Sequence, residues 1–211
     1  VDESGKSIPV VIEGAFGTNH IYAALAALAL ASGEKWNLIE ASTAFKDYEI
    51  PPGRMRLLPG INESLIIDDT YNSSPQAALT ALNTLGEVKA KRKIAVLGDM
   101  LELGRHTDEA HLAVGRSVAE NAKMLIVVGQ RAKSIKAGAI EGGMNEKKIA
   151  DFQNSRDAGE FLKEVIKPGD LVFIKGSQGM RMERTVEAVI RDKRNKKNLL
   201  VRQEQEWLNK E

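Results

Sequence analysis

Three short stretches concentrate side chains that could do chemistry. The first is Asp68-Asp69-Thr70-Tyr71-Asn72-Ser73-Ser74-Pro75, where two adjacent carboxylates, hydroxyl groups and an amide lie between an apolar run and a proline. Asp69 could bind a ribose hydroxyl pair or a hydrated magnesium ion, both of which need a fixed oxygen acceptor. The same residues could instead end a strand and, through Ser73 or Ser74, cap a helix. The second stretch, Gly98-Asp99-Met100-Leu101-Glu102-Leu103-Gly104, has glycines at both ends for a tight loop and acids inside that could hold an ammonium group. It could equally be an ordinary strand-to-helix loop. The third, Lys175-Gly176-Ser177-Gln178-Gly179-Met180, sets a lysine and small residues ahead of a helix start, a reasonable anion cradle. It is not a GxGxxG loop, and GxxxxGK[ST] occurs nowhere in the chain. His106 and His111, with Glu109 between them, do not share a helix face cleanly, so a hydrogen-bonded structural role is expected rather than a metal site.

These stretches need elements to hold them. The runs Lys93 to Leu97, Met124 to Val128, Ile149 to Phe152 and Leu171 to Ile174 are short and apolar. They alternate with helical patterns over Pro75 to Val88, Thr107 to Ala122, Arg131 to Glu141, Ser155 to Ile166 and Met180 to Arg191. Such alternation predicts a parallel sheet covered on both faces. Ahead of it, Met55 to Leu58 and Leu65 to Asp69 could pair as a hairpin across Pro59 to Glu63. The expected fold is therefore a doubly wound, mostly parallel, Rossmann-like α/β domain over residues 53–211. In such sheets ligands bind beyond the carboxyl ends of the strands, which is where all three stretches fall.

Residues 1–52 read differently. Ile21 to Ala31 is apolar throughout, and 11 residues are too few to span a bilayer. A helix capped by Asn19 and Gly33 is expected, and being apolar all round it needs cover on every side. A shorter helix over Trp36 to Phe45 should end before Ile50-Pro51-Pro52-Gly53, which reads as a hinge. This part is expected to be the helical remnant of a neighbouring domain. At the other end, a basic run from Arg191 to Lys197 reads as a solvated helix end, and Leu199 to Trp207 as an edge strand or docking segment.

Composition excludes several classes. In 211 residues there are 30 Lys+Arg against 29 Asp+Glu, a net charge of +1, with 5% aromatics, so nothing argues for nucleic acid. No cysteine is present, which removes disulfides, thiolate metal sites and cysteine nucleophiles. Val1 to Ser7 has no signal-peptide pattern, and a soluble cytoplasmic protein without a membrane partner is expected.

Taken together, DDTYNSSP, GDMLELG with the downstream His111, and GDLVFIKGSQGMRMER resemble the C-terminal domain of the Mur ligase family in order and spacing. They look most like its D-alanyl-D-alanine-adding branch. The DNPR motif of the diaminopimelate-adding branch is absent, and Gly53-Arg54-Met55 matches the family's arginine at the entry to this domain. The resemblance implies an ATP-dependent amide ligase of peptidoglycan synthesis, a monomer whose partners are UDP-N-acetylmuramoyl-tripeptide and D-alanyl-D-alanine. The chain would be roughly its C-terminal half, inactive alone. The P-loop, the ligands of magnesium, the modified lysine and the sugar-binding domain would belong to a preceding portion. Residues 1–52 would be the end of the central ATP-binding domain.

By position in the motifs, Arg54 and Asp69 would serve ATP, together with Asn19 and His20. Around those two, the family's G-x-H-N-x-x-N pattern reads Gly17-Thr18-Asn19-His20-Ile21-Tyr22-Ala23, with histidine and asparagine displaced. Asn72, Asp99, Glu102, Lys175 and Ser177 would serve the dipeptide, Lys175 being suited to its carboxylate. His111 matches a family position without a derivable role. Two other functions remain open: a non-catalytic α/β module that binds a nucleotide or amino acid, and a Mur ligase that adds a different amino acid.

Overall fold

A computed structural model describes residues 7–209 of the chain. They fall into two compact units, divided along the chain between Pro51 and Pro52.

In the first unit, helix α1 (Asn19–Gly33) is apolar on nearly every face, as its run of Ala and Leu requires. Its ends sit one residue from expectation. Thr18 occupies the position before the helix, and Glu34 and Lys35 close the last turn through N–H bonds to the carbonyls of Leu30 and Ser32. The side chain of Asn19 lies outside the described residues. Among the described side chains of the helix, only Ala24 and Ala31 are buried, while Ile21, Tyr22, Leu25 and Leu30 are exposed. Helix α2 (Leu38–Thr43) follows, capped by the Asn37 side chain, which accepts from the N–H groups of Ile39 and Glu40.

The second unit holds a six-stranded sheet. β1 (Arg56–Pro59) and β2 (Leu65–Asp69) form an antiparallel pair in the register Leu58↔Ile66. Helix α3 (Pro75–Glu87) starts on a proline, with Ser74 Oγ accepting from Ala77 N–H. Then come β3 (Arg92–Gly98), α4 (Thr107–Asn121), β4 (Met124–Val128), α5 (Lys133–Glu141), β5 (Ile149–Phe152), α6 (Ser155–Val165), β6 (Asp170–Lys175) and α7 (Glu183–Val189). The order across the sheet is β1-β2-β6-β3-β4-β5, parallel from β2 onward.

β6 is thus the last strand in sequence and a central one in space. The chain runs from β2 over to β3, outward through β4 and β5, and returns to fill the gap it left. Right-handed crossovers in opposite directions put helices on opposite faces. Ile66, Ile94, Val96, Ile126, Val172 and Ile174 pack against Leu162 of α6 and Val186 and Val189 of α7. Their alternates, Ile67, Leu97, Leu125, Val127 and Phe173, are buried on the other face. There α4 lies between α3 and α5. α4 and α5 approach closely enough that a β-carbon on Gly115 would sit 2.1 Å from the Ile135 carbonyl oxygen. Only glycine fits there.

Two expectations fail at the C-terminal end. The helix expected from Met180 begins at Glu183, because Arg181 takes a left-handed backbone (φ 52°) that ends the preceding turn. Of the two readings of Leu199 to Trp207, the edge strand fails and the docking segment holds. The segment runs from the end of one single-turn helix, α8 (Lys196–Leu199), into another, α9 (Gln205–Leu208), with Arg202 between them at φ 59°. A left-handed residue interrupts extended backbone, and the Arg202 side chain is buried rather than displayed.

Candidate functional site

β2 and β3 continue toward the α3–α4 face, whereas their shared neighbour β6 continues toward the α7 face. Their outgoing loops therefore diverge at the carboxyl ends and leave a crevice, the usual ligand position in a sheet of this kind. A cleft of about 380 Å³ occupies it. Asn72 and Ser73 enter from the loop after β2, Leu101 and Glu102 from the loop after β3, and Ser177, Gln178 and Gly179 from the loop after β6. Trp207 of the C-terminal tail completes the lining.

Asp69 and Lys175 are register partners on adjacent parallel strands, so their side chains leave the sheet on the same face. Lys175 Nζ donates to Asp69 Oδ2 at 2.6 Å and to the Asn72 carbonyl at 2.8 Å. Asp69 Oδ1 accepts the Met55 N–H. Lys175 is 4% exposed. Its ammonium, expected to meet a ligand carboxylate, is engaged by Asp69 and by the backbone carbonyl of Asn72 and lies behind the cleft lining. Asp69 likewise faces protein donors on both oxygens.

Asp99 is also turned inward. Its Oδ1 accepts the Ala132 N–H at 2.7 Å, and its carbonyl accepts the Ser177 N–H. In place of a carboxylate offered to an ammonium group, it is a buried tie between the loops after β3, β4 and β6. Glu102 remains on the rim as the exposed acid, held at φ 65°. Ser177 Oγ accepts the Leu101 N–H at 2.8 Å while facing the cleft, so one hydroxyl joins the β6 loop to the β3 loop. Asn72 Oδ1 accepts from Gln178 N–H at 3.4 Å. Arg54 lies with its guanidinium 3.9 Å from the Tyr71 ring centroid, an orienting cation–π contact at the entry to the domain. His20 belongs to the first unit, where its ring lies 6.5 Å from that of Tyr48.

His111 takes the hydrogen-bonded structural role expected of it. Its buried ring accepts the Met100 N–H at Nε2 (2.9 Å), so the proton resides on Nδ1, which donates to the Thr107 carbonyl at 2.7 Å. The histidine thereby fastens the β3 loop to the first turn of α4. His106 is exposed and accepts from Arg105.

Asp68 faces the opposite way from Asp69 and is fully buried. Burial pushes its carboxyl up to about 6, against the lowering effect of hydrogen bonds from Thr70 and the Gly53 N–H. A carboxyl raised in the folded state is most stabilising when protonated. Its contribution is complete below the unfolded value of 3.8 and is lost as pH rises through about 6. That shift corresponds to roughly 3 kcal/mol. Denaturant unfolding of the chain at pH 4 and pH 7 is expected to show this loss, and Asp68→Asn is expected to flatten it. An unchanged pH slope in that variant would refute the assignment.

Sequence reading missed Gln178, Trp207, Glu183 and Arg202. Glu183 and Arg202 form a buried cluster with Arg181 beside the loop after β2, and Trp207 lies half-buried against it. Arg202 Nη1 donates to the Thr70 carbonyl and to Glu183 Oε2, its Nη2 donates to the Tyr71 carbonyl, and Arg181 Nε donates to Glu183 Oε1. Residues more than 100 apart meet here, and only the C-terminal WL pair hinted at an apolar docking end.

Residues 53–178 match the family profile described as Mur ligase, glutamate ligase domain. A Synechocystis sp. protein named UDP-N-acetylmuramoyl-tripeptide--D-alanyl-D-alanine ligase is 28% identical over 186 residues, 88% of this chain and 40% of that protein. The crystal structure of MurF ligase from Thermotoga maritima in complex with ADP superposes with a TM-score of 0.70 at 26% identity. It covers 85% of this chain and 39% of that one. A crystal structure of MurF from Acinetobacter baumannii gives a TM-score of 0.67 at 30% identity, covering 81% of this chain and 37% of that one. The chain spans about two-fifths of the length of the curated relatives it matches.

Proposed function

The chain belongs to the Mur ligase family, and we propose that it is the amine-binding part of an ATP-dependent amide ligase of peptidoglycan synthesis. The reaction joins D-alanyl-D-alanine to UDP-N-acetylmuramoyl-tripeptide in the cytoplasm, in a monomeric enzyme. The observation that carries this reading is the cleft where the loops after β2, β3 and β6 converge, in a chain whose relatives bear that name.

ATP would supply the phosphoryl group that turns the terminal carboxylate of the tripeptide into a reactive acyl phosphate. The residues of this chain then have two tasks: to deliver an amine in line with that carbonyl, and to keep water away from it. Glu102, the exposed acid on the cleft rim, is suited to draw in the dipeptide ammonium. Asn72 and Ser177 supply an amide and a hydroxyl for its peptide group. Arg54 offers a fork of N–H donors to phosphate oxygens, and stacking on Tyr71 fixes its direction. Asn19 and His20 remain the candidates for the nucleotide from the first unit.

Asp69, Lys175 and Asp99 act behind this layer by fixing the loops. Magnesium is not assigned to any residue here: the Asp69 oxygens are engaged by Lys175 and Met55, and no trio of metal-ligating side chains occurs among the described residues. No helix among those residues is long and apolar enough to cross a membrane.

The test follows phosphate release from ATP by the complete gene product with UDP-N-acetylmuramoyl-tripeptide. D-alanyl-D-alanine, diaminopimelate, lysine or no amine is offered in turn. Release that depends on D-alanyl-D-alanine is expected. Release with another amine would reassign the branch, and none with any amine would favour a binding module.

A further inference from the structure

The C-terminal tail lies beyond the stretch matched by the family profile, yet one of its side chains forms a wall of the cleft. Trp207 sits on α9, a single helical turn of four residues. So short a helix has no stability of its own and must be held by its surroundings. The Trp207 carbonyl accepts from Arg181 Nη1 at 2.8 Å, and its ring lies near two guanidinium groups, at 5.4 Å from Arg181 and 5.8 Å from Arg202. Both arginines converge on Glu183, at 2.6 and 3.0 Å, with all three side chains almost fully buried. Arg202 then reaches on to the carbonyls of Thr70 and Tyr71, immediately before Asn72.

Both arginines also hold left-handed backbone, a conformation that a non-glycine residue keeps only where its surroundings insist on it. The result is a continuous connection from the tail, through one carboxylate, to the loop that carries a polar side of the cleft.

The chemistry of the lining is uneven. Asn72, Ser73, Ser177 and Gln178 offer amide and hydroxyl groups, whereas Trp207 and Leu101 offer apolar surface. An indole at that position gives a rigid, flat face suited to small aliphatic groups and hostile to bulk.

Resting on the ligase reading above, we propose that Trp207 is a specificity-determining wall of the amine cleft. The Arg181–Glu183–Arg202 cluster is the latch that sets its position. The size of the accepted amine is then governed by the C-terminal tail as well as by the three loops.

The test uses the complete gene product, assayed for phosphate release at saturating ATP and tripeptide substrate, with D-alanyl-D-alanine and the bulkier D-alanyl-D-leucine compared. Trp207→Ala is expected to raise KM for D-alanyl-D-alanine about tenfold, with kcat changed by no more than about twofold. It should also shift the ratio of kcat/KM about tenfold toward the bulkier acceptor, while Trp207→Phe restores most of both. Arg202→Met should mimic Trp207→Ala in selectivity.

A second readout needs no turnover. When every other tryptophan of the complete gene product, Trp36 of this chain included, is replaced by phenylalanine, Trp207 is the remaining indole. Its emission should then change saturably on titration with D-alanyl-D-alanine. A wild-type enzyme that uses D-alanyl-D-alanine, combined with unaltered KM and selectivity in Trp207→Ala, would overturn the wall and leave the ligase reading intact. An emission indifferent to saturating dipeptide would do the same. Absence of amine-dependent release in the wild type would remove both.

Discussion

Lys175→Met is expected to destabilise the second unit by about 3–5 kcal/mol. The lysine ammonium is almost wholly shielded from water, 2.6 Å from the Asp69 carboxylate and 2.8 Å from the Asn72 carbonyl. Methionine fills nearly the same volume, so packing is preserved and the effect is electrostatic. It leaves a buried carboxylate facing an apolar thioether, together with a carbonyl that has lost its donor. Asp69→Asn with Lys175→Met removes the charge from both partners, and most of the loss should return. Denaturant unfolding of the wild type, both single variants and the double variant closes the cycle, with an expected coupling above about 1 kcal/mol. Additive single effects would show that the pair is incidental. Activity should fall with stability in the single variant, because the carbonyl anchored by Lys175 belongs to Asn72, on the cleft.

Glu183→Leu is expected to have an effect of the same order, about 3–5 kcal/mol, for the converse reason. One carboxylate serves two buried guanidinium groups, and its removal leaves like charges close together with no counter-ion. Here the loss should be local before it is global. The tail, freed from Arg181 and Arg202, should become a substrate for trypsin at Arg202 under conditions where the wild type resists cleavage. Glu183→Gln keeps an acceptor but not the charge, and should fall between the two. Equal resistance to trypsin in the wild type and Glu183→Leu would mean that the tail is held by something other than this cluster.

How much of this was legible beforehand depended on distance along the chain. Local signals were sufficient where a single element was at stake. The runs at Met124 to Val128 and Ile149 to Phe152 are strands with those bounds, and Ser74-Pro75 opens α3 as capping chemistry requires. The crevice was legible too, because alternating strands and helices imply loops at the carboxyl edge. What local signals could not reveal was which way a side chain in those loops turns. Lys175 and Asp99 look like ligand residues when read in line, but a partner 106 residues away for one, and the Ala132 N–H for the other, draws them inside. Arg181 and Arg202 misled for a related reason: a positive φ in arginine has no signature of its own and arises from tertiary contacts. The tail consequently read as either an edge strand or a docking segment, and it is the latter, tethered through two arginines.

The placement of β6 has a consequence for how the molecule is made. On a nascent chain, β2 and β3 emerge before their shared neighbour, because the slot between them belongs to a strand that begins about 100 residues after β2 and about 70 after β3. Until then, each presents an unsatisfied edge, and the entropy of closing so long a loop delays insertion. The three stretches that build the cleft are therefore not neighbours at any earlier stage. Binding competence arrives last, when β6 completes the sheet and the tail behind it brings Trp207 to the cleft, so partly synthesised chains lack the finished site.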